Sequence, residues 1–190
     1  MRIVAGAWRG RVLRAPPGDT TRPTADRVRQ ALFDMLLHAP WGGRESIEGA
    51  RVLDLFAGTG ALGLEALSRG AAFATFIEHD RAALAALRAN VAMLGTDRRC
   101  AVLAADALTI GMLAASSAAP CSLIFLDPPY GADMVPRALG HMTARGWIAP
   151  GALIVAETAR DESPLSTELL AERIHGAARI SIWRAASSGL

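Results

Sequence analysis

The sequence predicts an α/β fold built on a doubly wound, mostly parallel sheet. Three features of the 190-residue chain carry that prediction. From residue 51 onward, short apolar runs alternate with helical stretches, the pattern of βα units joined by right-handed crossovers. The runs are continuously apolar rather than alternating, as in strands covered on both faces. A glycine-rich turn stands between the first run and the helix after it. The length suits one domain with a small extension.

The elements follow in order. Arg2–Ala5 and Arg11–Arg14 read as short extended pieces around Gly6-Ala7-Trp8-Arg9-Gly10, a hairpin. Pro16-Pro17-Gly18-Asp19 breaks the chain. Thr24 is a candidate N-cap for a helix from Ala25 to Leu37, with Val28, Leu32, Met35 and Leu36 at helical spacing. Strands are predicted at 51–55, 74–78, 100–105, 122–127 and 151–157, with a closing strand at 180–183. Helices are predicted at 61–68, 81–94, 108–115, 135–145 and, weakly, 165–172. Gly70 and Gly95 supply two of the helix stops.

Composition excludes several classes. The chain is 52% hydrophobic and 20% charged, which excludes disorder. No run of about 18 uncharged apolar residues exists, so no membrane span is expected. The opening segment reaches Arg9-Gly10-Arg11 too soon for a signal peptide, so a cytoplasmic protein is expected. Cys100 and Cys121 form no C-x-x-C and read as buried thiols. The histidines at 38, 79, 141 and 175 are scattered, and no metal site is expected. All 20 basic residues are arginine. Residues 1–29 carry seven arginines against Asp19 and Asp26, a local charge of +5, while the remainder carries −3. That asymmetry points the N-terminal segment at a polyanion, or simply at solvent.

In a parallel sheet of this kind, ligands bind beyond the carboxyl ends of the strands. Asp54, Glu78, Asp106, Asp127 and Glu157 all lie at such ends. Asp54-Leu-Phe56-Ala57-Gly58-Thr-Gly60-Ala-Leu-Gly63 joins the first strand to its helix, and Glu78 follows Gly58 by 20 residues. That spacing lets an acid take ribose hydroxyls while the glycines admit an adenosine ligand closely. A carboxylate at Asp54 repels a pyrophosphate and suits a cationic ligand such as S-adenosylmethionine, although the spacing alone also permits NAD. Asp127-Pro128-Pro129-Tyr130 follows the fourth predicted strand. The prolines stiffen a set of acceptors that lacks competing donors, and an aromatic follows that can stack on a ring. Acceptors beside a stacking face suit an exocyclic amino group on a nucleobase.

These segments resemble the class I S-adenosylmethionine-dependent methyltransferases, and more closely the RsmD family of 16S rRNA guanine-N2 methyltransferases. The resemblance rests on Arg2-Ile-Val-Ala-Gly-Ala-Trp-Arg-Gly-Arg11, Arg22-Pro-Thr-x-Asp-Arg-Val-Arg29, Asp54–Leu67, Glu78-x-Asp80 and Asp127–Tyr130, and runs from residue 2 to about 157. It implies a Rossmann-like, seven-stranded, mostly parallel sheet with helices on both faces and a small N-terminal β-hairpin extension. It divides the chain into a basic, RNA-contacting part (1–40) and a methyltransferase domain (41–190). It implies methylation of one guanine in 16S rRNA, on a partly assembled small subunit; a monomer is expected as the simplest state for a small enzyme that docks on a large particle. Asp54, Phe56, Ala57, Gly58, Gly60, Glu78 and His79 would then line the cofactor pocket. Asp106 would accept from the adenine amino group with Ala107 beside it, or cap the next helix. Asp127 and Pro128 would hold the guanine amino group, with Pro129 and Tyr130 completing the motif. Trp8, Arg9, Arg11, Arg22, Arg27 and Arg29 would hold RNA. The residues also leave room for an adenine or cytosine amino-methyltransferase, a nicotinamide oxidoreductase, or a non-catalytic assembly factor.

Overall fold

The computed structural model describes residues 1–16, 23–112, 120–129, 133–160, 168–175 and 178–187. Seven strands form one sheet: β1 (Arg51–Leu55), β2 (Phe73–Glu78), β3 (Cys100–Ala104), β4 (Cys121–Leu126), β5 (Ile148–Ala159), β6 (Glu168–His175) and β7 (Ala178–Arg184). Their order is β3-β2-β1-β4-β5-β7-β6. The first five are parallel; β7 and β6 are antiparallel to their neighbours. Among the described residues four α-helices accompany them: α1 (Pro23–His38), α2 (Ala61–Ser68), α3 (Arg81–Leu94) and α4 (Met134–Ala144).

Alternate strand residues feed two separate cores. Val52, Leu123, Phe125 and Val155 point to one face, where α1, α2 and α3 add Phe33, Leu36, Leu64, Leu67 and Leu87. Leu53, Leu55, Ile124, Leu126 and Ile154 point to the other, packed by Val135, Leu139 and Met142 of α4 and by Trp147 and Trp183. Both faces are thus covered, which explains the continuous apolar runs.

The expected α/β sheet is present, and α2 and α3 match their predicted limits. Four details differ. The first helix starts at Pro23, so Thr24 lies in its first turn and is not the N-cap; proline suits the first helical position, where its missing N–H costs nothing. Residues 108–112 form a turn and irregular chain in place of the predicted helix start. The segment predicted as a helix at 165–172 runs as strand β6 from Glu168 onward. Its Glu-Leu-Leu-Ala-Glu composition favours a helix, but ladder bonds to β7 override that weak preference. The N-terminal hairpin is reduced to one bridge, Arg2 with Val12. It still folds back fully: the Ile3 N–H donates to the Arg11 carbonyl at 2.9 Å and the Leu13 N–H to the Met1 carbonyl at 3.0 Å.

This arm joins the main core. Ile3 and Leu13 are buried in the same cluster as α1 and α2. Gly6, at φ +79°, approaches α2 so closely that a Cβ would fall 1.9 Å from the Ser68 carbonyl oxygen.

Candidate active site

The turn from β1 to α2 forms the floor of the site. Phe56 takes a left-handed conformation (φ 59°), and the Ala57 N–H donates to the Ile77 carbonyl at 3.1 Å. Gly60 caps α2, its N–H donating to the Ala57 carbonyl at 2.7 Å. Asp54, only 2% exposed, accepts from the Gly63 N–H at 2.9 Å. A Cβ on Gly63 would lie 2.4 Å from the Phe76 ring, so only glycine lets α2 sit this close to β2. Burial, opposed by that hydrogen bond and reinforced by the charges of Asp127 and Glu78, pushes the Asp54 carboxyl up to about 8.

Glu78 ends β2 and is 7% exposed. Its carboxylate accepts from the N–H groups of Gly58, His79 and Asp80, each at 2.8 Å. Of about four lone-pair sites on a carboxylate, one is left. The His79 side chain is exposed. Asp80 caps α3 by accepting from the Ala83 N–H at 2.8 Å. Asp106 is exposed and accepts from the Leu108 N–H at 2.8 Å, a local turn without a helix behind it. Ala107 is buried beside it.

Asp127 follows the last residue of β4, and Glu157 lies near the end of β5. The register pairs Leu126 with Ala156, so Asp127 and Glu157 leave neighbouring strands side by side. Both line a cavity of about 150 Å³ together with Met1 and Arg29 of the N-terminal part, Ala61 and Leu62 of α2, and Ile180 of β7. Asp127 is open to solvent at the cavity mouth, yet protein packed around its carboxyl, then the charge of Glu157, push it up to about 7. Pro128 is buried and Pro129 exposed; Tyr130 lies outside the described residues. Burial raises both cysteine thiols to about 11, which makes them poor nucleophiles.

The arginines of the N-terminal part divide into two kinds. Arg9, Arg11 and Arg27 are exposed, while Arg22 lies outside the described residues. Trp8 is half-buried, with the Arg99 guanidinium 5.5 Å from its ring centroid. Arg29 is internal and 5% exposed. Its Nη2 donates to the Arg2 carbonyl at 2.5 Å and to Asp26 at 2.8 Å, and its Nε lies 3.8 Å from Glu65.

Sequence reasoning missed the groups that fasten the arm. Glu65 is fully buried and accepts from the N–H groups of Val4 (2.7 Å) and Ala5 (3.0 Å) and from Arg69 Nε (2.7 Å). Ser68 accepts from the Trp8 N–H at 3.0 Å and donates to the Ala5 carbonyl at 2.6 Å. Asn90, also fully buried, bridges the backbone of Arg14 and Thr59. One signal was available: Glu65 is the sole charged residue of α2, whose other residues apart from Ser68 are apolar. Glu157 stood among the acidic strand ends but was not assigned to the site. Among the described residues no group of His, Cys, Asp and Glu could hold a metal ion, and no helix is long and apolar enough to cross a membrane.

Comparison with known proteins agrees with this architecture. The family described as Conserved hypothetical protein 95 matches residues 1–184. Ribosomal RNA small subunit methyltransferase D of Escherichia coli K12 is 37% identical over 193 residues, covering 100% of this chain and 92% of that protein. The Haemophilus influenzae protein of the same name is 35% identical over 183 residues, covering 93% and 89%. The solved structure of yhhF from Escherichia coli superposes with a TM-score of 0.81 at 36% identity and covers 99% of each chain. The sheet order, the strand-end acids and this full-length similarity lead to one assignment: the chain belongs to the family described as Conserved hypothetical protein 95, the RsmD family.

Proposed function

We propose that this protein transfers a methyl group from S-adenosylmethionine to the exocyclic N2 of a guanine in 16S rRNA. The observation that carries the reading is the cavity in which Asp127 meets Glu157, next to the turn that buries Asp54 and Glu78. Relatives matching 100% and 93% of the chain are named ribosomal RNA small subunit methyltransferases, which supports the substrate class.

The residues of the turn fit the cofactor. A carboxyl held protonated by burial at Asp54 gains from a cationic ligand, which restores its charge. A pyrophosphate would make the same burial costlier. Glu78 offers one free acceptor site to a ribose, and a second contact requires the Gly58 N–H to yield. Asp106 has a carboxyl at the surface for an adenine amino group, with Ala107 beneath it.

S-adenosylmethionine supplies an electrophilic methyl on its sulfonium. The protein's task is to aim a poor nucleophile at that carbon. The guanine amino lone pair is delocalised into the ring. Asp127 and the Pro128 carbonyl accept its N–H groups, turn the lone pair toward the methyl, and stabilise charge developing on nitrogen. As the N–C bond forms and the S–C bond breaks, the amino nitrogen loses a proton to the Asp127 carboxylate or to water. Tyr130 would stack on the base. The base must leave its stack to enter. Arg9, Arg11 and Arg27 at the surface of the 1–40 segment would hold the flanking phosphates. Arg29 instead would anchor the arm from inside.

Labelled S-adenosylmethionine, mixed with small ribosomal subunits lacking the modification, tests the proposal. Label on a guanine N2 of 16S rRNA that disappears in Asp127→Ala is expected. Label on adenine, on cytosine or on no nucleotide, despite cofactor binding, overturns it.

A further inference from the structure

We infer that Glu157 is the residue that selects guanine, by accepting the N1–H that stands next to the reacting amino group. The inference rests on the guanine-N2 reading above and adds to it the residue that reads the base. Its basis is strand register. Leu126 pairs with Ala156 across parallel strands, so Asp127 and Glu157 are neighbours, with backbones about 4.8 Å apart. Two residues earlier, Phe125 and Val155 both point into the core beneath α1 and α2, and the period of two sends Asp127 and Glu157 to that same face. Both then line one cavity.

Chemistry gives the pair its meaning. The edge of guanine that carries N2 presents two adjacent donors, N2–H and N1–H. The corresponding edge of adenine presents an amino donor beside the N1 lone pair, and that of cytosine an amino donor beside the N3 lone pair. One carboxylate accepts an amino group from any of the three bases. When both are ionised, two side by side accept only from guanine, because either other base sets a ring lone pair against the second carboxylate. A site built to bond a donor rejects the analogue that lacks it far more strongly than a site built on shape. Leu62, Val155 and Ile180 around the pair are apolar, and the one cationic side chain lining the cavity, Arg29, is held by the Arg2 carbonyl, Asp26 and Glu65.

The probe is 2-aminopurine, which keeps the 2-amino group of guanine but has a bare N1. After the methylated position is mapped, small subunits are reconstituted with 16S rRNA ligated to carry guanine or 2-aminopurine there. Wild-type protein is expected to prefer guanine by about 100-fold or more in kcat/KM. Glu157→Gln, which can turn an amide N–H toward N1, is expected to compress that ratio at least tenfold, and Glu157→Ala to compress it as well. Affinity for S-adenosylmethionine should stay unchanged in both variants, showing that they fold. Should a variant turn over neither RNA, competition binding of the two RNAs supplies the ratio. A wild-type protein that uses both bases equally, or a ratio unchanged in the variants, overturns the role of Glu157 and leaves the proposed function standing. A wild-type protein that leaves guanine unlabelled overturns both.

Discussion

Asp54 and Asp127 hold protons over a pH range where solvated carboxyls have lost them. Their folded values, about 8 and about 7, lie above the ordinary 3.8. Between pH 4 and 8 the folded protein therefore binds more protons than the unfolded chain. Stability from these two groups is fully present near pH 4 and is lost as pH rises through 7 and 8. Asp26 pulls the other way. Partial burial raises its carboxyl, but the Arg2 N–H and then Arg29 outweigh that and hold it below its usual value, so its contribution is lost on acidification. Urea denaturation at pH 5 and pH 8 should show the neutral-pH slope, and Asp54→Asn should flatten it; an unchanged slope would sink this account. Binding of the cationic cofactor should release protons near pH 7, visible as a buffer-dependent heat in calorimetry. Glu65 gives a second test. It holds two backbone N–H groups and two guanidinium groups at zero exposure. Glu65→Ala should cost about 3–5 kcal/mol in chemical denaturation, because it strips the buried Arg69 guanidinium of its carboxylate and two backbone N–H groups of their acceptor. A cost under about 1 kcal/mol would show that water replaces the carboxylate.

The N-terminal arm combines two tasks on one element. Its inward residues, Ile3 and Leu13, belong to the core, while Arg9 and Arg11 face solvent. The arm lies along α2, with Trp8 beside Ser68 at the helix end and Met1 near Thr59 at the glycine turn. Its tip thus lies away from the cavity while its base helps to wall it. On the proposed reading, Arg9→Ala with Arg11→Ala should flatten the salt dependence of RNA affinity by about 1.5 in log–log slope. Surface substitutions of this kind should shift stability by no more than about 0.5 kcal/mol. An unchanged salt slope would remove these arginines from the RNA contact. Strand β6 illustrates the opposite relation between sequence and element. Leu169 and Ile174 are each 47% exposed on this edge, so no amphipathic pattern marks it as a strand, and the ladder with β7 and the packing of Leu170 and Ala171 on the core supply its order.

At the scale of the whole molecule, the sheet order brings Asp54, Glu78, Asp127 and Glu157 from the ends of four strands to one rim, and Met1 of the arm lines the cavity there. Deleting residues 1–16 should therefore cost at least about 3 kcal/mol from the buried Ile3 and Leu13 alone. A thermal melt that leaves Tm unchanged after the deletion would contradict a shared core. Much of this was legible beforehand where information is local. The limits of α2 and α3 followed from apolar spacing and from Gly70 and Gly95, and the glycine turn with Asp54 and Glu78 followed from motif spacing. Arg29 was not separable from Arg9 by its sequence, because its partners Arg2, Asp26 and Glu65 come together only in the fold. Glu157 became a partner of Asp127 only through the register of β4 on β5. Periodicity, turn chemistry and motif spacing act within a few residues, so the chain's own order already determined the five parallel strands, α2, α3 and the glycine turn between β1 and α2. Which buried charge meets which, whether residues 168–175 join the sheet, and which acids share a cavity depend on contacts between residues tens of positions apart, and only the packed tertiary structure decided them.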